Sequence, residues 1–224
     1  MKIKAVLFDM DGVLVNTEPL HYRMWKEAFH NRGLEIDYDK YKGCIGCTHD
    51  VLMDIILDKY GWDFKNDAEI KPEAFQIKRD IVSAEGYPAV DGAREMLANI
   101  HEAGYVMAIA SSSPPEFIKM AMDSLGAIDY FTLLNSGENV KHSKPAPDIY
   151  LDTAGKLGVL PKECIVLEDS TNGCLAATRA GMICIGFNNP DSGDQDLSPA
   201  RVIIDDIRDF TPQLIKKVET NIYK

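Results

Sequence analysis

Apolar residues follow two different patterns along this chain. From residue 87 onward, short apolar runs alternate with segments of helical spacing, which is typical of a parallel sheet with crossover helices. The predicted strands, with the N-terminal run included, are residues 3–8, 106–110, 131–134, 164–167, 183–186 and 202–204. The predicted helices between them are residues 91–103, 115–125, 147–158 and 172–180.

Residues 17–85 differ from this pattern. Their apolar spacing is helical throughout, beginning with Leu20 and Met24, and contains no convincing strand. Thr17 followed by Pro19 predicts a helix start. We therefore expect an α/β fold: a Rossmann-like parallel sheet core of about six strands with an inserted all-helical cap domain. The core domain would comprise residues 1–16 and 87–224, and the cap domain residues 17–86.

Composition and charge narrow the classes of function. The 224 residues are 46% apolar, enough for a core, and the formal net charge of −11 argues against nucleic acid or a membrane surface as partner. No apolar run is long enough to span a bilayer, and no leader pattern opens the chain. The five cysteines are odd in number and scattered, which favours a reducing compartment. We expect a cytoplasmic protein, by default a monomer.

Two carboxylates follow the first predicted strand. Asp9 and Asp11 stand one residue apart where a buried strand must end and turn, and Gly12 permits a sharp bend. Open α/β sheets bind ligands in the crevice beyond the carboxyl ends of their strands. A carboxylate at this place can attack phosphorus and form an aspartyl-phosphate, with the second carboxyl group as proton carrier. A solvated turn or a helix cap is the alternative interpretation of the pair.

Polar groups follow three further predicted strands. Ser111-Ser112-Ser113 leads into a helix as a possible anion cradle, Lys144 stands beside a proline, and Glu168-Asp169 precedes a helix start. Taken singly, each is also explained as a cap or an ordinary loop. Together they bring a nucleophile, a proton carrier, a phosphate cradle, a lysine and metal-binding acids to one edge of the sheet. Because the chain is acidic, it must concentrate positive charge at this edge, through a divalent metal and a few basic side chains, before it can hold a phosphate.

In this order the four motifs resemble the haloacid dehalogenase superfamily, in its branch of β-phosphoglucomutases and small sugar-phosphate phosphatases. The resemblance covers the whole chain. It implies a phosphoaspartate on Asp9, acid–base catalysis by Asp11 and a Mg²⁺ cofactor that offsets phosphoryl charge. It also implies phosphate binding by Ser111, Ser112 and Lys144, and metal binding by Asp9, the carbonyl of Asp11, Asp169 and, in support, Glu168.

The predicted cap supplies the candidates for holding the rest of the substrate. These are Thr17, His21, His49 and Lys78. For His21 the alternative is a surface or core-edge position, and for Lys78 it is an ordinary solvated helix face.

The resemblance also bears on the choice between hydrolase and mutase. Compared with the family's mutases, His49 replaces an arginine and Pro114 a lysine, and losing two cations makes a bisphosphate harder to hold. The sequence therefore favours a Mg²⁺-dependent phosphatase whose partner is a small phosphorylated sugar or polyol. The alternatives are a β-phosphoglucomutase, converting glucose 1-phosphate to glucose 6-phosphate, and a silent sensor of a phosphometabolite.

Overall fold

A computed structural model describes residues 2–44 and 49–220, without the side chains of Lys40 and His49. The chain divides into two units by its internal contacts. Residues 1–16 and 87–224 form the α/β unit, and residues 17–86 form the helical unit.

The α/β unit is built on one six-stranded sheet. The strands are β1 (Ala5–Phe8), β2 (Val106–Ser111), β3 (Leu133–Ser136), β4 (Cys164–Glu168), β5 (Ile183–Phe187) and β6 (Val202–Ile204). Their order is β3-β2-β1-β4-β5-β6, and every pairing is parallel. The predicted fold class is confirmed. The third strand begins two residues later than predicted, because residues 128–130 form a 3₁₀ turn ahead of it.

Four helices belong to the helical unit and five to the α/β unit, within the part of the chain that the structure describes. They are α1 (Glu18–His30), α2 (Tyr38–Tyr41), α3 (His49–Tyr60), α4 (Ile70–Glu85), α5 (Ala93–Glu102), α6 (Pro115–Leu125), α7 (Asp148–Leu157), α8 (Thr171–Arg179) and α9 (Pro212–Thr220). Helix α9, a short helix that buries Ile215 and Val218, is not among the predicted helices. No helix among the described residues is long and apolar enough to cross a membrane.

Strand β1 is buried on both faces, which explains its unbroken apolar sequence. Leu7 belongs to an apolar cluster that includes Tyr150 of α7 and Ala177 of α8. Phe8, the next residue, points to the opposite face of the sheet. Its ring packs edge to face against Phe131 and Phe210, at 5.9 and 6.0 Å between ring centres. These contacts fix β1 at the centre of the unit.

The strand order places chemistry at one edge of the sheet. The order of the chain reverses around β1, which lies between β2 and β4, and such a switch point is where open α/β sheets bind ligands. Asp9 directly follows β1, while Ser111 and Glu168 are the last residues of β2 and β4. In-register pairing of Phe8 with Ile109 and Leu167 brings these three strand ends together.

The helical unit has its own apolar core. Trp25 and Phe29 of α1 stack on each other, and Phe64 packs on Phe29. Arg32, just after α1, bonds to Asp67 and, at 2.6 Å, to Glu73 of α4. An apolar core and an ion-pair network therefore join α1 to α4.

Candidate active site

A buried lysine joins the ends of β1 and β4. Lys144 Nζ donates to Asp9 Oδ1 at 2.5 Å and to Glu168 Oε1 at 2.7 Å. The lysine side chain is 7% exposed. Its loop is held from α8, where Arg179 Nη1 donates to the carbonyl of Pro145 at 2.8 Å. The ammonium is thus fixed between two carboxylates.

Both carboxylate oxygens of Glu168 accept several hydrogen bonds. Its Oε1 accepts from Lys144 and, at 3.0 Å, from the buried hydroxyl of Tyr150. Its Oε2 accepts from the backbone N–H groups of Asp169 and Ser170 and from Ser170 Oγ, each at 2.9 Å. Burial opposes its ionisation, but Lys144 and the bonds from Ser170 lower the pKa of Glu168 below its ordinary value. These contacts favour the ionised form of Glu168 and fix the orientation of its side chain.

Asp11 is bound by the serine run after β2. Ser111 Oγ and Ser113 Oγ donate to its Oδ2 at 3.2 and 2.8 Å. Ser113 N in turn donates to Ser111 Oγ at 3.0 Å. Ser112, which the sequence analysis expects at the phosphate, is exposed. Ser111, which is buried, and Ser113, which is half-buried, therefore orient the second carboxyl group of the Asp-x-Asp motif.

Positive charge is scarce in this cluster. The pKa of Asp9 is raised to about 7, mainly by burial. Lys144 opposes this rise, while the nearby acids Glu168 and Asp11 add to it. Burial, Glu168 and Asp9 likewise raise the pKa of Asp169 well above its ordinary value. Burial lowers the pKa of Lys144, but Asp9 and Glu168 outweigh it and raise that pKa above its ordinary value. Among the described residues of this cluster, the ammonium of Lys144 alone does not balance the carboxyl groups of Asp9, Asp11, Glu168 and Asp169.

The residues present fit a divalent cation. One oxygen from each of Asp9, Glu168 and Asp169 lies within 4.8 Å of the other two, and all three residues are buried. An all-oxygen set of this kind suits Mg²⁺. A cation would favour the ionised form of Asp9, which a nucleophile requires.

The predicted cap residues lie in the helical unit. Lys78 of α4 is 3% exposed, and its Nζ lies 3.1 Å from His21 Nε2 on α1. The other ring nitrogen, His21 Nδ1, lies 3.7 Å from Glu18 Oε1. Thr17 is buried, and its side chain makes no capping bond to α1. His49 begins α3, but its side chain lies outside the described residues.

Sequence reasoning missed several side chains around the charge cluster. Ser113 stands in the serine run, but the resemblance implies phosphate binding only for its neighbours Ser111 and Ser112. Tyr150 has the helical spacing of an ordinary core residue, so no signal in the sequence sets it apart. Ser192, which donates to Asp169, comes from the β5–β6 loop, where no motif marks it.

Residues 3–181 match the model of the haloacid dehalogenase-like hydrolase family. The chain belongs to this family, so the predicted family is confirmed.

Named relatives agree with that membership. Hexitol phosphatase B of Escherichia coli K12 is 32% identical over 85% of this chain and 86% of its own. Fructose-1-phosphate phosphatase YqaB of the same organism is 30% identical over 80% of this chain and 93% of its own. The solved structure of a putative β-phosphoglucomutase from Thermotoga maritima is 26% identical, with a TM-score of 0.73 over 98% of this chain and all of that chain. The chain is thus similar both to phosphatases and to a mutase-like fold.

Proposed function

We propose that this chain is a Mg²⁺-dependent phosphatase that hydrolyses a small phosphorylated sugar or polyol through an aspartyl-phosphate on Asp9. The family and the phosphatase relatives support the class of phosphoric monoester hydrolase. The observation that carries the proposal is the buried contact of Lys144 with both Asp9 and Glu168 at the switch point of the sheet. A cytoplasmic location and a monomeric state stay predictions.

The first chemical step belongs to Asp9 and Asp11. An oxygen of Asp9 attacks phosphorus, the bond from phosphorus to the substrate oxygen breaks, and Asp11 gives its proton to the departing alkoxide. Ser111 and Ser113 orient Asp11 for that transfer. Lys144 holds Asp9 in place, and with Ser111 and Ser112 it offsets the charge of the phosphoryl oxygens.

The second step restores the enzyme. Asp11 takes a proton from a water molecule as the water oxygen attacks phosphorus. The bond between phosphorus and Asp9 then breaks, which releases inorganic phosphate and the Asp9 carboxylate. Asp9, the carbonyl of Asp11 and Asp169, assisted by Glu168, would hold Mg²⁺, which supplies positive charge to the transferring group.

The helical unit is the proposed source of substrate selectivity. Thr17, His21, His49 and Lys78 are the candidates for holding the part of the substrate that does not react. The contact of Lys78 Nζ with His21 Nε2 at 3.1 Å supports this role, because it places two polar side chains of α4 and α1 side by side, where they can bind polar groups of a substrate.

A panel of phosphorylated metabolites tests the proposal. The purified protein with Mg²⁺ is assayed for inorganic phosphate released from hexitol phosphates, fructose 1-phosphate and glucose 6-phosphate. We expect phosphate release from at least one of them, and Asp9→Asn to lower it by about 10³-fold or more. Asp129→Asn, at an exposed site in the α/β unit, is the matched control and should keep wild-type turnover.

The mutase alternative makes a different prediction in the same assay. The similarity to a putative β-phosphoglucomutase is the observation that keeps it open. Fast conversion of β-glucose 1-phosphate to glucose 6-phosphate, primed by the bisphosphate and with negligible phosphate release, would contradict the phosphatase function and support the mutase function. Full turnover in Asp9→Asn would contradict both.

A further inference from the structure

The loop between β5 and β6 sends two buried polar side chains toward the Asp-x-Asp motif and Asp169. Asn189 is 6% exposed, and its Nδ2 donates to the carbonyl oxygen of Gly12 at 2.7 Å. Ser192 is 7% exposed, and its Oγ donates to Asp169 Oδ2. Neither residue belongs to the four motifs. Buried polar groups are costly unless they are bonded, so both contacts constrain the loop.

Gly12 shows how closely these groups approach each other. Its φ is +81°, a left-handed conformation that favours glycine. A Cβ at this position would collide with the carboxylate of Asp169 and with the hydroxyl of Ser192. The backbone after Asp11, the side chain of Asp169 and the β5–β6 loop therefore meet at one point.

The loop itself is held in place. Asn189 Oδ1 accepts from the N–H of Asp191 at 2.9 Å, and the carbonyl of Asn189 accepts from Ser192 N at 3.1 Å. Gln195 donates to the carbonyl of Ser192 at 3.1 Å and accepts from Thr171 N of α8 at 3.0 Å. The turn that carries the Ser192 hydroxyl is thus held by hydrogen bonds within the loop and to α8.

We propose that Ser192 is a positioning residue for metal binding. Its hydroxyl fixes the carboxylate of Asp169 in the orientation that puts one oxygen within 4.8 Å of oxygens of Asp9 and Glu168. Asn189 does the same for the backbone beside Asp11. This inference rests on the proposed function, because it assigns a role toward the proposed cation. Partners that orient metal-ligating carboxylates typically change metal affinity by about 10- to 100-fold when they are removed.

Binding of Mn²⁺ alone tests this role without any substrate. Mn²⁺ prefers the same oxygen ligands as Mg²⁺, and its free concentration is measured by electron paramagnetic resonance. We expect Ser192→Ala to raise the Kd for Mn²⁺ by about 10-fold. Ser192→Thr keeps the hydroxyl and should stay within about threefold of wild type. Ser198→Ala, an exposed serine of the same loop, is the matched control and should bind as wild type does.

The outcomes separate the inference from the proposed function. Wild type that binds no Mn²⁺ contradicts the proposed metal site itself. Wild type that binds, together with a Ser192→Ala variant of equal affinity, contradicts the positioning role alone. If Ser192→Ala does not fold in the metal-free state, Ser192→Cys, which keeps a weaker donor, decides the question: an affinity equal to wild type overturns the proposal, and a weaker one supports it.

Discussion

Tyr150 makes two different contacts with the buried charge cluster. Its hydroxyl donates to Glu168 Oε1, and Lys144 Nζ lies 5.0 Å from its ring centre. The ring face attracts the ammonium, while the hydroxyl bonds to the carboxylate that the ammonium also contacts. One buried side chain therefore orients both members of the pair.

Tyr150→Phe separates these contacts, since it removes the hydroxyl and keeps the ring. A hydrogen bond to a charged group is worth about 1.5–3 kcal/mol. We expect the free energy of unfolding in urea to fall by about that amount. Tyr130→Phe, at a half-buried tyrosine of the same unit, is the control and should change it by less than about 0.5 kcal/mol. Equal stability of Tyr150→Phe and wild type would show that the hydroxyl contributes nothing.

Single residues also mark how far sequence reasoning reached. Asp9, Lys144 and Glu168 were identified from local motifs, and the structure brings them into contact. Tyr150 and Ser192 were not, because their roles depend on packing between segments that are distant in the chain. The hydroxyl of Ser192 meets Asp169 across 23 positions, and nothing in either local sequence predicts that contact.

At the scale of an element, the start of α8 is built around a glycine. Ser170 caps the helix by accepting from Gly173 N at 3.0 Å. A Cβ at Gly173 would collide with the side chain of Glu168. Position 173 therefore requires glycine, because any larger side chain would collide with the Glu168 carboxylate.

Two glycine substitutions test this packing. Gly173→Ala should destabilise the protein and lower turnover, because it displaces Glu168 from Lys144 and Tyr150. Gly155→Ala is the matched control, since a Cβ there meets nothing within 4 Å in α7, and it should stabilise the protein by about 0.5–1 kcal/mol. Thermal melts and phosphate release measure both effects. Wild-type stability and turnover in Gly173→Ala would contradict the packing argument.

In the helical unit, Arg32 joins α1 to α4 through ion pairs that depend on pH. Bonds from Arg32 lower the pKa of Asp67, and bonds from Asn31 and then Arg32 lower the pKa of Glu73. Carboxyl groups with lowered pKa add stability that is present above their unfolded-state pKa, near 4, and is lost as pH falls through the folded-state pKa.

Arg32→Met should therefore destabilise the protein by about 1 kcal/mol at pH 7. The difference from wild type should shrink as the pH is lowered from about 5 to about 3. Arg23→Met removes a pair with Glu85 in which both side chains are about half exposed, at 48% and 54%, and should cost less at pH 7. Thermal melts across this pH range provide the measurement. A difference that does not change with pH would refute the assignment.

At the scale of the whole molecule, hydrophobic pattern predicted the architecture better than it predicted the element ends. The six parallel strands were predicted because strands buried on both faces are continuous apolar runs. Helix α9, with Ile215 and Val218 as its buried residues, was missed because it follows the last strand, where no later strand marks it as a crossover helix. The strand order was not predicted, since it depends on pairing between distant strands. That order places β1 between β2 and β4.

The central claim is that Asp9 bonds covalently to phosphorus while the buried carboxylates hold Mg²⁺. A crystal structure of the protein with Mg²⁺ and beryllium fluoride, a mimic of the phosphoryl group, tests this most directly. We predict beryllium bonded to an oxygen of Asp9, with Mg²⁺ contacting Asp9 and Asp169. Beryllium fluoride bound away from Asp9, or Mg²⁺ held by other residues, would contradict the account.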